Sequence, residues 1–172
     1  TFEWAGFAGE EVRYGALGLS SYLLMPEDEP VGAVIYLDGS RTKQGALQAG
    51  GVEALLGSGK AVLALDCVGL DDSGLLLGEP STTANVQHVM EALDFLEGRG
   101  IFCTACKGYV DDVALFAAVL DDRISGVTLG SKGGVQPHFR QGYRQEGVVP
   151  YILKVIDRPG LLALLAPRPL RL

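Results

Sequence analysis

With 172 residues, 21 acidic against 14 basic side chains and a net charge of -7, the chain offers no electrostatic footprint for a phosphate backbone or an anionic lipid surface, which excludes nucleic acid and membrane as expected partners. Hydrophobic residues make up 48% and charged ones 20%, yet the longest apolar stretches, such as Leu161 to Ala166, fall far short of the roughly 20 residues a spanning helix needs. A soluble single domain over residues 1-172 with a sizeable core is expected, and three cysteines without a signal-like start slightly favour a cytoplasmic, reducing compartment.

In chain order, Glu11 to Gly18 and Leu19 to Met25 read as two extended runs, closed by the polar turn Pro26 to Pro30. Val31 to Leu37 is a continuous apolar strand running into the turn Asp38-Gly39-Ser40. Gln44 to Leu56 reads as one helix stopped at Gly57 and Gly59. Ala61 to Leu65 is the next buried strand, followed by Asp66 and a loop over Gly69 to Gly74. From Thr82 or Thr83 to about Leu96 a helix puts Val86, Val89, Met90, Leu93 and Leu96 on one face, with His88 about 200° around from Val86 and therefore expected in solvent. Ser125 to Leu129 is a strand, Gly130 to Gln145 a glycine-rich basic loop, and Pro150 to Leu165 one or two short helices before the strand-like Arg168 to Leu172.

Between them lies Ile101 to Ile124, around which the domain is organised. Ile101 to Ala105 is short and apolar, as a strand covered on both faces would be, and Val110, Val113, Ala114, Ala117 and Leu120 then recur at helical spacing. Strands alternating with helices predict a three-layer α/β/α domain with a mostly parallel sheet and ligands at the carboxyl ends of its strands.

The strand-turn-helix at residues 101-120 resembles the nucleophile elbow of α/β-hydrolases, and YLDGSRTKQGA, GKAVLALDCVGLDDSG and LLALLAPRPLRL are similar, in the same order, to segments of acetyl-xylan-esterase and dienelactone-hydrolase-like esterases. Such elbows carry an alanine six residues after the nucleophile and an Asp-Asp-Arg-like helix end. Counting back from Ala114 and from Asp121-Asp122-Arg123 therefore puts Gly108 at the serine's position, with Cys106 and Val110 where the motif has glycines. In that family the acid and the histidine follow the strand that Arg168 to Leu172 would open, so the resemblance implies a truncated α/β-hydrolase fold without its last strand and helix. An exposed edge there would favour a homo-oligomer.

Two readings of the chemistry stay open. One is a catalytically incomplete domain related to carboxylic-ester hydrolases. The other is an active esterase or lactone hydrolase on a small ester or acylated carbohydrate, with Cys106 as tentative nucleophile; His138, in a loop that would overhang the strand ends, is a second tentative catalytic residue that nothing in the sequence pairs with Cys106. In that second reading backbone donors near Asp38, Gly39, Ser40 and Lys107, beside the turn position Gly108, would form an oxyanion pocket. Cys103 and Cys106 also spell C-x-x-C, but residues three apart on a regular strand face opposite ways, so neither metal nor redox chemistry is expected. Ser131 in a glycine-rich turn offers a degenerate second elbow, and no phosphate-binding or dinucleotide motif is present, so no cofactor is expected.

Overall fold

The computed structural model describes residues 1–16, 18–68, 81–108, 113–130 and 154–171. Eight strands form one sheet: β1 (Phe2–Trp4), β2 (Phe7–Arg13), β3 (Ser20–Met25), β4 (Ala33–Leu37), β5 (Ala61–Leu65), β6 (Cys103–Gly108), β7 (Val127–Leu129) and β8 (Leu170–Arg171). Among the described residues five helices accompany them: α1 (Lys43–Gln48), α2 (Val52–Gly57), α3 (Ser81–Gly98), α4 (Val113–Leu120) and α5 (Arg158–Leu164). The spatial order is β1-β2-β3-β5-β4-β6-β7-β8. β1, β2, β3 and β5 pair antiparallel, and β5, β4, β6, β7 and β8 pair parallel.

Every residue of β4 and β5 is buried, because both faces of these central strands are covered. On one face Ile35, Leu37, Leu63, Leu65 and Cys106 pack under α3, α4 and Leu161 of α5. On the other, Tyr36, Val62 and Ala64 meet Ala46, Val52 and Leu56 of α1 and α2, with Phe2, Trp4 and Phe7 of the β1–β2 hairpin at the margin. The result is the expected three-layer α/β/α sandwich. Burying a leucine completely, as at Leu63 and Leu65, contributes roughly 1.5–3 kcal/mol each.

Several boundaries differ from the sequence reading, for local reasons. The first extended run is Phe7–Arg13 rather than Glu11 to Gly18, since Ala5 and Gly6 take positive φ and turn the chain back on β1. The single helix expected over Gln44 to Leu56 is two, because Gly50 and Gly51 both adopt left-handed φ (73° and 91°) between them. His88 is not in solvent: with Asn85, Val89, Ala92 and Leu96 it lies on the buried face of α3, which is wider than the valine-leucine stripe alone indicated.

The strand of the central stretch also shifts, to Cys103–Gly108, and it contains an irregularity. Ala33 pairs with Cys103 but Val34 pairs with Ala105, so Thr104 is an extra residue, a β-bulge whose hydroxyl donates to the Ala33 carbonyl at 3.0 Å. The bulge restores phase. Cys103 and Cys106 thus face the same α3/α4 layer, which corrects the expectation that they point to opposite faces.

Candidate functional site

Chain direction locates the crevice. From β4 the chain crosses through α1 and α2 to β5, whereas from β6 it proceeds through α4 to β7 on the other side. The neighbouring carboxyl ends of β4 and β6 are therefore the topological switch point, where an open α/β sheet leaves room for a ligand. Leu37 pairs there with Gly108, Gly108 pairs with Leu129, and the Gly130 N–H donates to the Gly108 carbonyl at 2.8 Å. The loop Asp38-Gly39-Ser40 thus borders Gly108, so the sequence-derived turn residues and the elbow position do come together.

The loop after β4 is tightly braced. Asp38 accepts the Ser40 N–H on Oδ2 at 2.7 Å, and its carbonyl accepts the Arg41 N–H at 2.9 Å, an Asx-type turn that leaves Arg41 at φ 64°. Thr42 caps α1, accepting the Gly45 N–H at 3.0 Å. A Cβ on Gly45 would stand 2.7 Å from Asp38 Oδ2 and closer still to Ser40 Oγ, so a glycine there lets the helix approach its own entry loop. The Ser40 N–H, one of the oxyanion donors expected from sequence, is engaged by Asp38 in this geometry. Lys107 points to the α1/α2 side, with Nζ 5.0 Å from the centre of the Tyr36 ring.

Gly108 is the last residue of β6, and a Cβ built on it would lie 2.6 Å from the Ala114 methyl. α4 packs that closely against the strand end, which leaves no space for a side chain at 108. Cys106, two residues earlier, has no exposed surface and sits inside the core facing α3 and α4. Burial, with smaller contributions from Cys103 and Cys67, pushes its thiol well above the ordinary cysteine range. Burial likewise raises Cys103 to about 11. Both thiols are protonated at neutral pH, and a protonated thiol is a poor nucleophile. His138 and Ser131 lie outside the described residues. Among the described residues no group of three or more His, Cys, Asp or Glu side chains is placed to hold a metal ion.

One cluster escaped the sequence reading. Lys43, with a side chain only 10% exposed, donates from Nζ to Glu11 at 2.8 Å and to Ser20 Oγ, and lies 3.2 Å from Asp66 Oδ2. Asp66, the first residue after β5, also accepts the Lys43 N–H at 2.8 Å and the Ser20 hydroxyl at 3.2 Å. Desolvation pulls the Lys43 pKa down, but hydrogen bonds and charge from Glu11 and Asp66 outweigh it and leave the ammonium favoured. The network clamps β2, β3, α1 and the loop after β5 together. The available signal was an aspartate directly after a buried strand, facing a lysine in the first turn of the preceding helix.

His88, 1% exposed, contacts the Asp66 carbonyl through Nδ1 at 3.1 Å and lies 5.4 Å from the Tyr14 ring. Its Nε2 is buried without a partner among the described residues. Burial lowers its pKa, against weaker opposing contributions from Asp66 and Glu91. A histidine with a depressed native pKa holds fewer protons folded than unfolded, so its stabilising contribution is complete above about pH 6.5 and declines as pH falls below that value. Urea midpoints measured from pH 7.5 to 5 should therefore drop, and His88→Gln should flatten that dependence; a parallel slope in both proteins would contradict the assignment.

No family model matches the chain, and no curated protein matches it in sequence. Solved structures do. A protein assigned as an acetyl xylan esterase from Bacteroides fragilis superposes with a TM-score of 0.77 at 17% identity, over 98% of this chain and 59% of that one. A glucuronoyl esterase from Teredinibacter turnerae gives 0.65 at 16% identity, over 94% and 54%. A cold-adapted esterase from an Arctic intertidal metagenomic library gives 0.57 at 22% identity, over 71% and 58%. The chain thus spans less than two thirds of these structures' length, and the likeness establishes an α/β-hydrolase-like fold.

Proposed function

We propose that this chain, which carries the α/β-hydrolase fold, is an ester-hydrolase-type domain that keeps the scaffold and strand-end crevice of such enzymes without a working nucleophile. The single observation supporting this is Gly108: the elbow position holds no side chain, and the Ala114 methyl occupies the space a Cβ would need. The crevice bordered by Asp38, Gly39, Ser40, Lys107 and Gly108 is where a small ester or acylated carbohydrate would sit, in keeping with the esterase names that the similar structures carry. Retaining a fold while losing its chemistry is possible because activity resides in a few side chains grafted onto the scaffold.

Assay of p-nitrophenyl acetate hydrolysis tests this directly. The expected rate equals buffer, and it is unchanged in Cys106→Ala. Turnover abolished by Cys106→Ala but retained by Ser131→Ala would instead establish the cysteine esterase. The buried, protonated Cys106 thiol weighs against that alternative. We further propose that β8, an edge strand of the sheet among the described residues, pairs with a second copy of the chain. A monomer mass by light scattering at high concentration would rule that out.

A further inference from the structure

A groove of about 410 Å³ runs between α3, α4 and α5, and none of Asp38, Gly39, Ser40, Lys107 and Gly108 lines it. Its walls are carbon: Val86 from α3, Phe116, Val119 and Leu120 from α4, and Leu161 and Leu164 from α5. Leu120 is 67% and Leu164 56% exposed, so the rim holds large apolar side chains in water with nothing covering them among the described residues. Isolated exposed leucines are ordinary, but here they converge on one concavity with a buried floor of Val86 and Leu161.

The size and chemistry of the groove select among occupants. Its volume falls within the roughly 300–1,000 Å³ of small-molecule pockets, whereas a stable protein partner needs about 800 Å² on each side and this recess offers only a few side chains. Among the described residues none of those lining the groove is charged, and the only polar ones are Thr82 and Thr83 in the first turn of α3. The Thr82 hydroxyl is buried without a partner among the described residues, while Thr83 is exposed at the rim. An ionised head group would find no counter-charge in this lining and would lose hydration on entering it, and the protein's net charge of -7 adds repulsion for an anion.

We propose that this groove binds a medium-length aliphatic molecule with an uncharged polar head, its chain along Phe116 and Leu161 and its head at the threonine end. The reading is independent of whether the strand-end crevice is catalytic. The test uses the whole chain and the uncharged fluorescent probe N-phenyl-1-naphthylamine, displaced by 1-decanol, sodium decanoate or buffer. Saturable one-site probe binding is expected, with 1-decanol displacing it at least tenfold more effectively than decanoate.

Leu120→Glu and Leu164→Glu, at rim positions where a carboxylate stays solvated, are each expected to weaken decanol displacement at least tenfold with an unchanged circular dichroism spectrum and melting temperature. Non-saturable probe uptake, decanoate equal to decanol, or affinity indifferent to both rim variants would each overturn the proposal. So would loss of probe binding as the chain self-associates in sedimentation, which would give this face to a second copy instead.

Discussion

Gly108→Ala is expected to destabilise the fold by about 3 kcal/mol, the upper part of the range for forcing a methyl into a packed site. For a chain of this length that corresponds to a loss of roughly 6–12 °C in melting temperature. The cause is a single contact: the new Cβ would stand 2.6 Å from the Ala114 Cβ, a distance that only movement of α4 relieves, because neither atom belongs to a flexible side chain. Gly108→Ser, which would reinstate a hydroxyl at the elbow position, meets the same obstruction and is expected to be as unstable and still inactive. Ala114→Gly removes the opposing methyl at a helix-propensity cost of about 1 kcal/mol, so combined with Gly108→Ala it should lose less than the sum of the two single variants by more than 1 kcal/mol. Strict additivity in urea denaturation, or an unchanged midpoint for Gly108→Ala, would show that α4 yields to the added methyl and would reopen position 108 to a side chain.

Lys43→Met carries the second large effect, about 2 kcal/mol. Removing one partner of a fully buried ion pair costs roughly 3–5 kcal/mol. Here Glu11 is half exposed and Asp66 about a third exposed, so water recovers part of that loss. What remains is Asp66, which keeps its bonds to the Lys43 backbone and to Ser20 but loses its cation. Because the clamp joins β2 and β3 to the start of α1, its loss should also loosen the loop from Asp38 to Thr42. Amide exchange of Ser40, Arg41 and Gly45 should rise in the variant more than exchange in β5. If only global stability changed, with exchange in the loop tracking the core, the clamp would have no local role.

The layered architecture was legible in the sequence because it rests on long apolar runs: Val31 to Leu37 and Ala61 to Leu65 read as inner strands, and Ala33–Leu37 and Ala61–Leu65 are, with Val31 exposed ahead of the first. The spacing of Ala114 and Asp121 to Gly108 singles out position 108, and the close approach of Ala114 to Gly108 is a contact that spacing alone does not disclose. Polar burial was not legible. His88 and Lys43 are side chains whose default place is the surface, and only three-dimensional proximity to Asp66, 22 and 23 residues away, makes their burial tolerable. Cys106 was misjudged for a related reason: the strand was expected to end at Ala105, which would have freed the thiol at the turn, whereas it runs on to Gly108 and holds the thiol in the core.

The strand runs on because it contains one residue more than its neighbour needs. Thr104 is surplus to the ladder between Ala33 and Leu37, and its own hydroxyl satisfies the carbonyl it displaces. Loss of one residue at the bulge would restore a regular ladder while Cys106, Lys107 and Gly108 go on facing the layers they face now. Length variation among descendants of this chain has a tolerated address inside its most enclosed sheet.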